Sequence, residues 1–303
     1  MPSELNGIVV VDKPEGITSA GAVARVKEIF GSGKVGHTGT LDPFATGVLV
    51  CCLNRATRLA RFLLSGDKTY EAEWILGVVT DTQDATGSVV ERHSLAGIDE
   101  DRIRRVAARF IGPITQVPPA YSALKHKGIP LYKWARRGKT VEKPARQVRI
   151  IDLQILSVRL PAVRISVSCS SGTYIRTLCA DMGRELGCGG HVRDLRRTVS
   201  CGFTIDHAWT LERLAEYRET GDLEKMVIPM NEALPFLPEV VAGEVMVSKI
   251  KHGMQLTDID FNGRPWASEE GLFKVVDGDG RLLAVIGESA EPGRYIYCCV
   301  FSA

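Results

Sequence analysis

At 303 residues the chain is long for one domain, and a large domain with a smaller companion is the natural organisation. Hydrophobic residues make up 45%, enough for a sizeable core and too many for a disordered chain. A formal net charge of +2 excludes a chain that is basic throughout, so any contact with nucleic acid must come from local clusters of Lys and Arg. Met1-Pro2-Ser3-Glu4-Leu5-Asn6 has no basic stretch leading into an apolar one, and no apolar run approaches the roughly 18 residues of a membrane span. We therefore expect a cytoplasmic protein with no secretory signal and no membrane contact. Eight cysteines occur as the pairs Cys51-Cys52 and Cys298-Cys299 plus singles in apolar contexts, without a Cys-x-x-Cys, which predicts reduced thiols. Cys179, Cys188 and His191 match no standard zinc spacing, so no metal is expected.

In chain order, residues 7–12 read as a buried strand that ends in the turn Lys13-Pro14-Glu15-Gly16. Thr18 or Ser19 then caps a helix with the stripe Val23, Val26 and Phe30, stopped by Gly31. Gly31-Ser32-Gly33-Lys34 is not a phosphate loop, because Val35 stands where Ser or Thr would bind magnesium and no glycine precedes at the required spacing. Residues 36–47 pack three glycines, one histidine and one carboxylate into twelve positions, directly before the apolar run Val48-Leu49-Val50-Cys51-Cys52-Leu53. Such a loop, with Pro43 after the acid, predicts one carboxylate, Asp42, held rigidly at the mouth of a buried strand. That is how a catalytic acid is presented; a plain turn cap is the simpler reading. Asn54 is expected to cap a helix with Leu59, Phe62 and Leu63 inside and Arg55, Arg58 and Arg61 outside, toward phosphate or water. Tyr70, Ala72, Trp74 and Leu76 alternate with polar residues as in a half-buried strand, which makes Tyr70 an ordinary core aromatic. Residues 81–87 fail the calcium-loop spacing and read as an Asx-turn-rich connection.

Residues 98–111 predict an amphipathic helix, with Ile103, Val106, Ala107 and Phe110 on one face and Arg102, Arg105 and Arg109 on the other. From 125 to 149 the texture changes. Lys125, Lys127, Lys133, Arg136, Arg137, Lys139, Lys143, Arg146 and Arg149 stand against the single acid Glu142, with Tyr121, Tyr132 and Trp134 interleaved. Dense positive charge with aromatics suits phosphates and exposed bases, so this segment is the expected RNA contact. Two alternating strands follow at 147–160 and 162–169, then a strand-turn-helix in which Arg176, beside the helix start, is placed to hold an anion. Leu195 reads as core. The proline-rich stretch 229–238, after a helix at 211–217, marks a boundary. Beyond it come a helix at 245–253, the hairpin signal Asp277-Gly278-Asp279-Gly280 between two apolar strands, and a third strand at 295–301.

Gly36-His37-Thr38-Gly39-Thr40-Leu41-Asp42-Pro43 with Ala45-Thr46-Gly47 resembles the signature loop of the TruB-type tRNA pseudouridine synthases. Further stretches match in the same order: Asp12-Lys13-Pro14-x-Gly16-x-Thr18-Ser19, Lys68-x-Tyr70-x-Ala72, Gly172-Thr173-Tyr174-Ile175-Arg176 and His191-Val192-Arg193-Asp194-Leu195-Arg196-Arg197. Residues 81–87 resemble a loop usual in that family, and 121–149 resembles its RNA-gripping insertion. The resemblance covers roughly residues 6 to 210, and five motifs in register are specific. It implies an α+β fold, a mixed and mostly antiparallel sheet with flanking helices at 1–234, followed by a small β-rich PUA-like RNA-binding domain at 238–303. It implies isomerisation of uridine 55 in the tRNA T loop to pseudouridine, without metal or cofactor, by a monomer that needs no protein partner. Asp42 would be nucleophile or base and Arg176 its ion-pair partner, keeping it ionised. Tyr70 would stack on the base, with Leu195 near the uracil, His37 wedged into the gap left by the flipped base, and Lys13 reaching the active-site region. Lys125, Lys127, Lys133, Arg136, Arg137 and Arg146 would touch RNA. Two rivals remain from the residues: a carboxylate-based glycoside or nucleoside hydrolase, which would want a second carboxylate, and an RNA-binding or chaperone protein without chemistry.

Overall fold

The computed structural model describes residues 4–301 apart from 123, 136, 140, 142, 262, 264–267 and 269–270, and of residues 125, 130, 132 and 133 the backbone alone. The expected architecture is present. The first half supplies strands β1 (Gly7–Lys13), β2 (Val35–His37), β3 (Thr46–Leu53), β4 (Lys68–Leu76), β5 (Val78–Thr80), β6 (Val89–Arg92) and β7 (Gly112–Gln116), with helices α1 (Ser19–Phe30), α2 (Ala60–Leu63) and α3 (Glu100–Ala108). The basic segment folds as the small hairpin β8 (Lys125–His126) and β9 (Ile129–Pro130) followed by α4 (Leu131–Ala135). Then come β10 (Arg146–Arg159), β11 (Ala162–Cys169), α5 (Ile175–Leu186), β12 (Gly190–Ser200), β13 (Phe203–Thr204), α6 (Leu211–Thr220) and β14 (Ile228–Pro229). A second unit contains β15 (Glu239–Val241), α7 (Glu244–Lys251), β16 (Leu256–Thr257), β17 (Leu272–Val276), β18 (Leu282–Glu288) and β19 (Arg294–Val300).

The large sheet runs β14-β1-β3-β12-β4-β11-β10-β7, with β2 added beside β3 and β13 beside β12. Every pair in it is antiparallel except β3 with β12, which are parallel and share only the register partners Arg196 with Thr46 and Arg197 with Gly47. The sheet is thus thinnest at its middle, where β3 begins and the loop before it enters. Here Gly47 is obligatory: its φ is +99°, and a Cβ would stand 2.2 Å from the carbonyl oxygen of Arg197.

Alternation along β4 sends Tyr70, Ala72, Trp74 and Leu76 into a core shared with α3 and α5, through Ile103, Val106, Leu178 and Met182. The opposite halves of β1 and β3 serve two other cores. Val9, Val11, Leu49 and Cys51 meet Ala22, Val26 and Ile29 of α1 and Leu214 of α6. The buried stripe of α1 is therefore turned from the expected one, leaving Val23 and Phe30 half-buried, while Thr18 caps the helix by accepting from Gly21 N–H and Gly31 ends it in the left-handed region. Val10, Val48 and Val50 pack instead on the second unit, against Val276, Leu282, Val285 and Phe301, with Leu234 and Leu237 of the connecting stretch between them.

That contact corrects the expectation for residues 54–63. Asn54 caps no helix: its φ is +49°, its side chain accepts from Lys34 N–H at 3.1 Å and donates to the Leu5 carbonyl at 2.8 Å, and a 3-10 turn (Asn54–Leu59) runs into α2. Arg58 and Arg61 do stand outward and exposed, but each is also tied to the second unit. Both donate to β19, Arg58 to the Val300 carbonyl and Arg61 to that of Cys298, and Arg58 lies 5.3 Å from the centre of the Phe301 ring. Among the described residues no helix is long and apolar enough to cross a membrane.

Gly47→Ala should lower the unfolding free energy by roughly 2–5 kcal/mol, combining backbone strain with a clash against a strand rather than a movable side chain. Denaturant melts would test it, and a loss below about 1 kcal/mol would refute the close approach.

Candidate active site

The backbone of the loop around Asp42 is fixed almost atom by atom. The Ser19 hydroxyl, at the start of α1, accepts from Leu41 N–H at 2.8 Å and donates to the Leu41 carbonyl at 3.0 Å. The Pro43 carbonyl accepts from Gly16 N–H at 2.9 Å and from Lys13 Nζ at 3.3 Å. Lys13, fully buried, also donates to the carbonyls of Pro14 and Ile17, so this lysine ties the first turn to the loop. Burial lowers its ammonium to about 8, against the opposing pull of Asp42. The Asp42 carbonyl closes a turn with Ala45 N–H at 3.1 Å.

Arg176, at the start of α5, is the expected partner, and only 3% of its side chain is exposed. Its Nε donates to Asp42 Oδ2 at 2.9 Å. The rest of the planar fork is also used: Nη2 donates to the Tyr121 carbonyl at 2.7 Å, and Nη1 to the Thr82 carbonyl at 2.7 Å and Asp84 Oδ2 at 3.2 Å. Asp84 was not foreseen as part of the site. The 81–87 loop does make Asx turns, since Asp84 Oδ1 accepts from Thr86 N–H and from the Thr82 and Thr86 hydroxyls, but the other oxygen of the same carboxylate braces Arg176. The electrostatic outcome also differs from expectation. Burial is the largest influence on Asp42 and raises its pKa above the ordinary carboxylate value; Arg176 and Lys13 oppose this and Asp84 adds to it.

Asp42 opens into a cavity of about 420 Å³ whose walls include Tyr70, Tyr174, Arg176, Leu195, Lys68 and Arg197. Tyr70 and Leu195 thus line the same cavity as Asp42. Burial raises the Tyr70 phenol above its usual value, which leaves it neutral near pH 7 and a poor base. His37 and Lys13 do not line the cavity. The His37 ring is turned back to accept from Gly39 N–H at 3.3 Å, and burial, with Arg197 nearby, lowers its pKa. Tyr174, whose main chain is held by the buried Gln116 amide donating to its carbonyl and accepting from its N–H, carries Arg146 at 5.7 Å from its ring centre, which brings that arginine to the cavity rim. Lys127 and Arg137 are exposed in the basic segment, where Trp134 is flanked by His126 and Lys139. Arg136 and Glu142 lie outside the described residues, as do the side chains of Lys125, Tyr132 and Lys133.

Period-two alternation could have found two wall residues that the motif reading passed over. Lys68 shares a strand face with Tyr70, and Arg197 shares one with Leu195. Lys68, buried, donates to the carbonyls of Leu64 and Gly66. Among the described residues, no cluster of His, Cys, Asp and Glu could hold a metal.

The "TruB family pseudouridylate synthase (N terminal domain)" model matches residues 27–175, and the "tRNA pseudouridylate synthase B C-terminal domain" model matches 176–235. The second match therefore ends in the connecting stretch between β14 and β15. A "tRNA pseudouridine synthase B" of Burkholderia mallei (strain NCTC 10247) is 43% identical over 281 residues, 93% of this chain and 92% of the relative. One of Stutzerimonas stutzeri (strain A1501) is 41% identical over 294 residues, 96% of this chain and 94% of the relative. Among solved structures, a chain of a Cbf5-Nop10-Gar1 complex superposes with a TM-score of 0.76 at 29% identity, covering 98% of this chain and 84% of that one. A chain of an H/ACA RNP bound to a substrate RNA containing 2′-deoxyuridine gives 0.74 at 26% identity, with 98% and 85% covered. Identity above 40% across nine-tenths of both chains, together with a buried arginine aimed at the loop aspartate, leads to one conclusion: the chain belongs to the TruB family of pseudouridylate synthases and is an isomerase.

Proposed function

We propose that the substrate is tRNA and that the residue converted is uridine 55 of its T loop. The observation that carries a uridine isomerase over a hydrolase is the charge inventory of the cavity. Asp42 is the one carboxylate among the described residues that lines it. Asp84, although close, is 4% exposed and occupied by Arg176, Thr82 and Thr86. A glycosidase of the usual kind needs two working carboxylates.

In this reading the target base leaves its stack and enters the cavity between Tyr70 and Leu195. Asp42 acts on the nucleotide as nucleophile or base while the uracil is detached, turned and rejoined through C5. Arg176 aims the carboxylate and favours its ionised form. Lys13 holds the loop, and His37, at the end of β2 where the loop begins, meets the RNA that the base has left. Arg146, Lys127 and Arg137, with Lys125, Lys133 and Arg136, grip the phosphates. The unit at 238–303, a PUA-like module, adds a second RNA surface beside the synthase unit at 1–234. The enzyme works as a cytoplasmic monomer, with no obligatory protein partner and no cofactor.

Tritium release from transcribed tRNA labelled at uracil C5 tests this reading, since rejoining through C5 expels that hydrogen. Wild type should release it, and Asp42→Ala should not. Tight tRNA binding without release would instead favour an RNA-binding or chaperone role. Asp42→Asn should bind tRNA as wild type does and keep its thermal midpoint. Because folding raises the Asp42 pKa, its ionised form costs stability as pH rises from the unfolded toward the folded value, and removing the charge forfeits nothing at neutral pH. A lowered midpoint would contradict that sign.

The acid limb of kcat/KM should lie above the ordinary carboxylate range. Asp84→Asn should slow the reaction, because Arg176 loses a brace, yet move that limb to lower pH, because a like charge leaves Asp42. A limb that moves upward would contradict the proposed network.

A further inference from the structure

Arg197 is 1% exposed, and its hydrogen bonds go to main-chain carbonyls: Nε donates to Val48 at 2.7 Å and Nη2 to Gly39 at 3.0 Å. No carboxylate lies within ion-pair distance of it among the described residues. Its neighbour Arg196, on the other face of β12, is by contrast held by both oxygens of Asp12. Burying a guanidinium without a counter-ion is costly, and buried cations are ordinarily paired. The same guanidinium interacts with the Tyr70 phenol, adds to the burial that lowers the pKa of His37, and borders the cavity that Asp42 opens into. Both glycines beside it have positive φ, +142° at Gly39 and +99° at Gly47, and at Gly47 a Cβ would stand 2.2 Å from the Arg197 carbonyl oxygen.

We propose that Arg197 is a further electrostatic and positioning residue of the reaction, the fixed cation that balances negative charge on the uracil while it is off the ribose. The inference rests on the pseudouridine synthase activity. When the C1′–N1 bond breaks, its electron pair stays with the uracil, spread over the ring and its two carbonyl oxygens, and C1′ is left electron-poor. When C5 attacks C1′, a pair from the ring forms the new bond and the negative charge is spent; the C5 hydrogen then leaves as a proton while N1 takes one up, so the ring ends neutral. No electrons are gained or lost overall. The base is anionic only between these events, inside a wall where little water screens charge, and a preformed cation there lowers the energy of that state without moving. Among the described residues no anion stands at Arg197; the reaction supplies one transiently. Through Gly39, Val48 and Tyr70 the same side chain also sets the loop and the stacking ring.

The test is single-turnover conversion at saturating tRNA by wild type, Arg197→Lys and Arg197→Met, with tRNA affinity and thermal midpoint measured alongside. Each enzyme is run on tRNA carrying either uridine or 5-fluorouridine at the target position, and base detachment is followed by mass spectrometry of the digested RNA. Fluorine withdraws electrons, so 5-fluorouracil holds negative charge better and needs less help. Arg197→Met should be slowed about 10²-fold on uridine with tRNA affinity little changed. Lysine, which keeps the charge, should recover part of the loss, and the deficit should shrink on 5-fluorouridine. Equal deficits on the two bases, in either variant, would reduce Arg197 to a structural support and overturn the proposal. So would a Met variant that turns over like wild type. Should Arg197→Met not fold, the Lys variant on the two bases decides. A wild type silent on uridine tRNA would overturn the underlying activity itself, a separate failure visible before any variant is made.

Discussion

The buried fork of Arg176 is the interaction on which the site depends. One planar guanidinium meets two carboxylates and two main-chain carbonyls, drawn from the loops around Asp42, residues 82–84 and Tyr121. The four partners come from three separate parts of the chain, so the fork can be satisfied only when the large sheet, α5 and the start of the basic segment are all in place. Arg suits this post and Lys would not: a point charge on a flexible stem cannot hold four groups at fixed angles. The carboxylate it aims is itself disfavoured as an anion by burial, and the cation is what keeps the charged form accessible.

Around this fork the molecule uses backbone rather than side-chain contacts to locate Asp42. Ser19 takes both main-chain groups of Leu41, and Lys13 and Gly16 converge on the Pro43 carbonyl. Hydrogen bonds to main chain fix a loop whatever rotamers its side chains adopt, which leaves the Asp42 carboxylate free to face the cavity. The thin β3–β12 seam gives the loop its entry point, and Arg197 supports it from the β12 side.

Much of this was legible in the residues. The β4 alternation, the Thr18 cap, the Gly31 stop, the hairpin at Asp277-Gly278-Asp279-Gly280 and the pairing of Arg176 with Asp42 all follow from local pattern or motif. What was not legible required knowledge of distant atoms. Asp84 satisfies its own turn with one oxygen, so its local pattern was complete and gave no hint of the second role. Arg58 and Arg61 sit on one face of their segment as solvated arginines do; only the return of β19 past them makes them a clamp. The direction of the Asp42 shift depended on how deeply the loop is covered, a quantity no spacing encodes.

The core shared by the two sheets carries a consequence of its own. Val10, Val48 and Val50 of the large sheet bury against Val285 and Phe301 of the second unit, and two arginines cross the junction to strand carbonyls. The second unit is therefore not a tethered arm that searches space on a linker. It is set at one distance and one angle from the cavity, as the jaws of a caliper are set on their beam. An RNA that touched both would have to span that gap with a fold of matching size, because the packing leaves neither unit free to adjust to it.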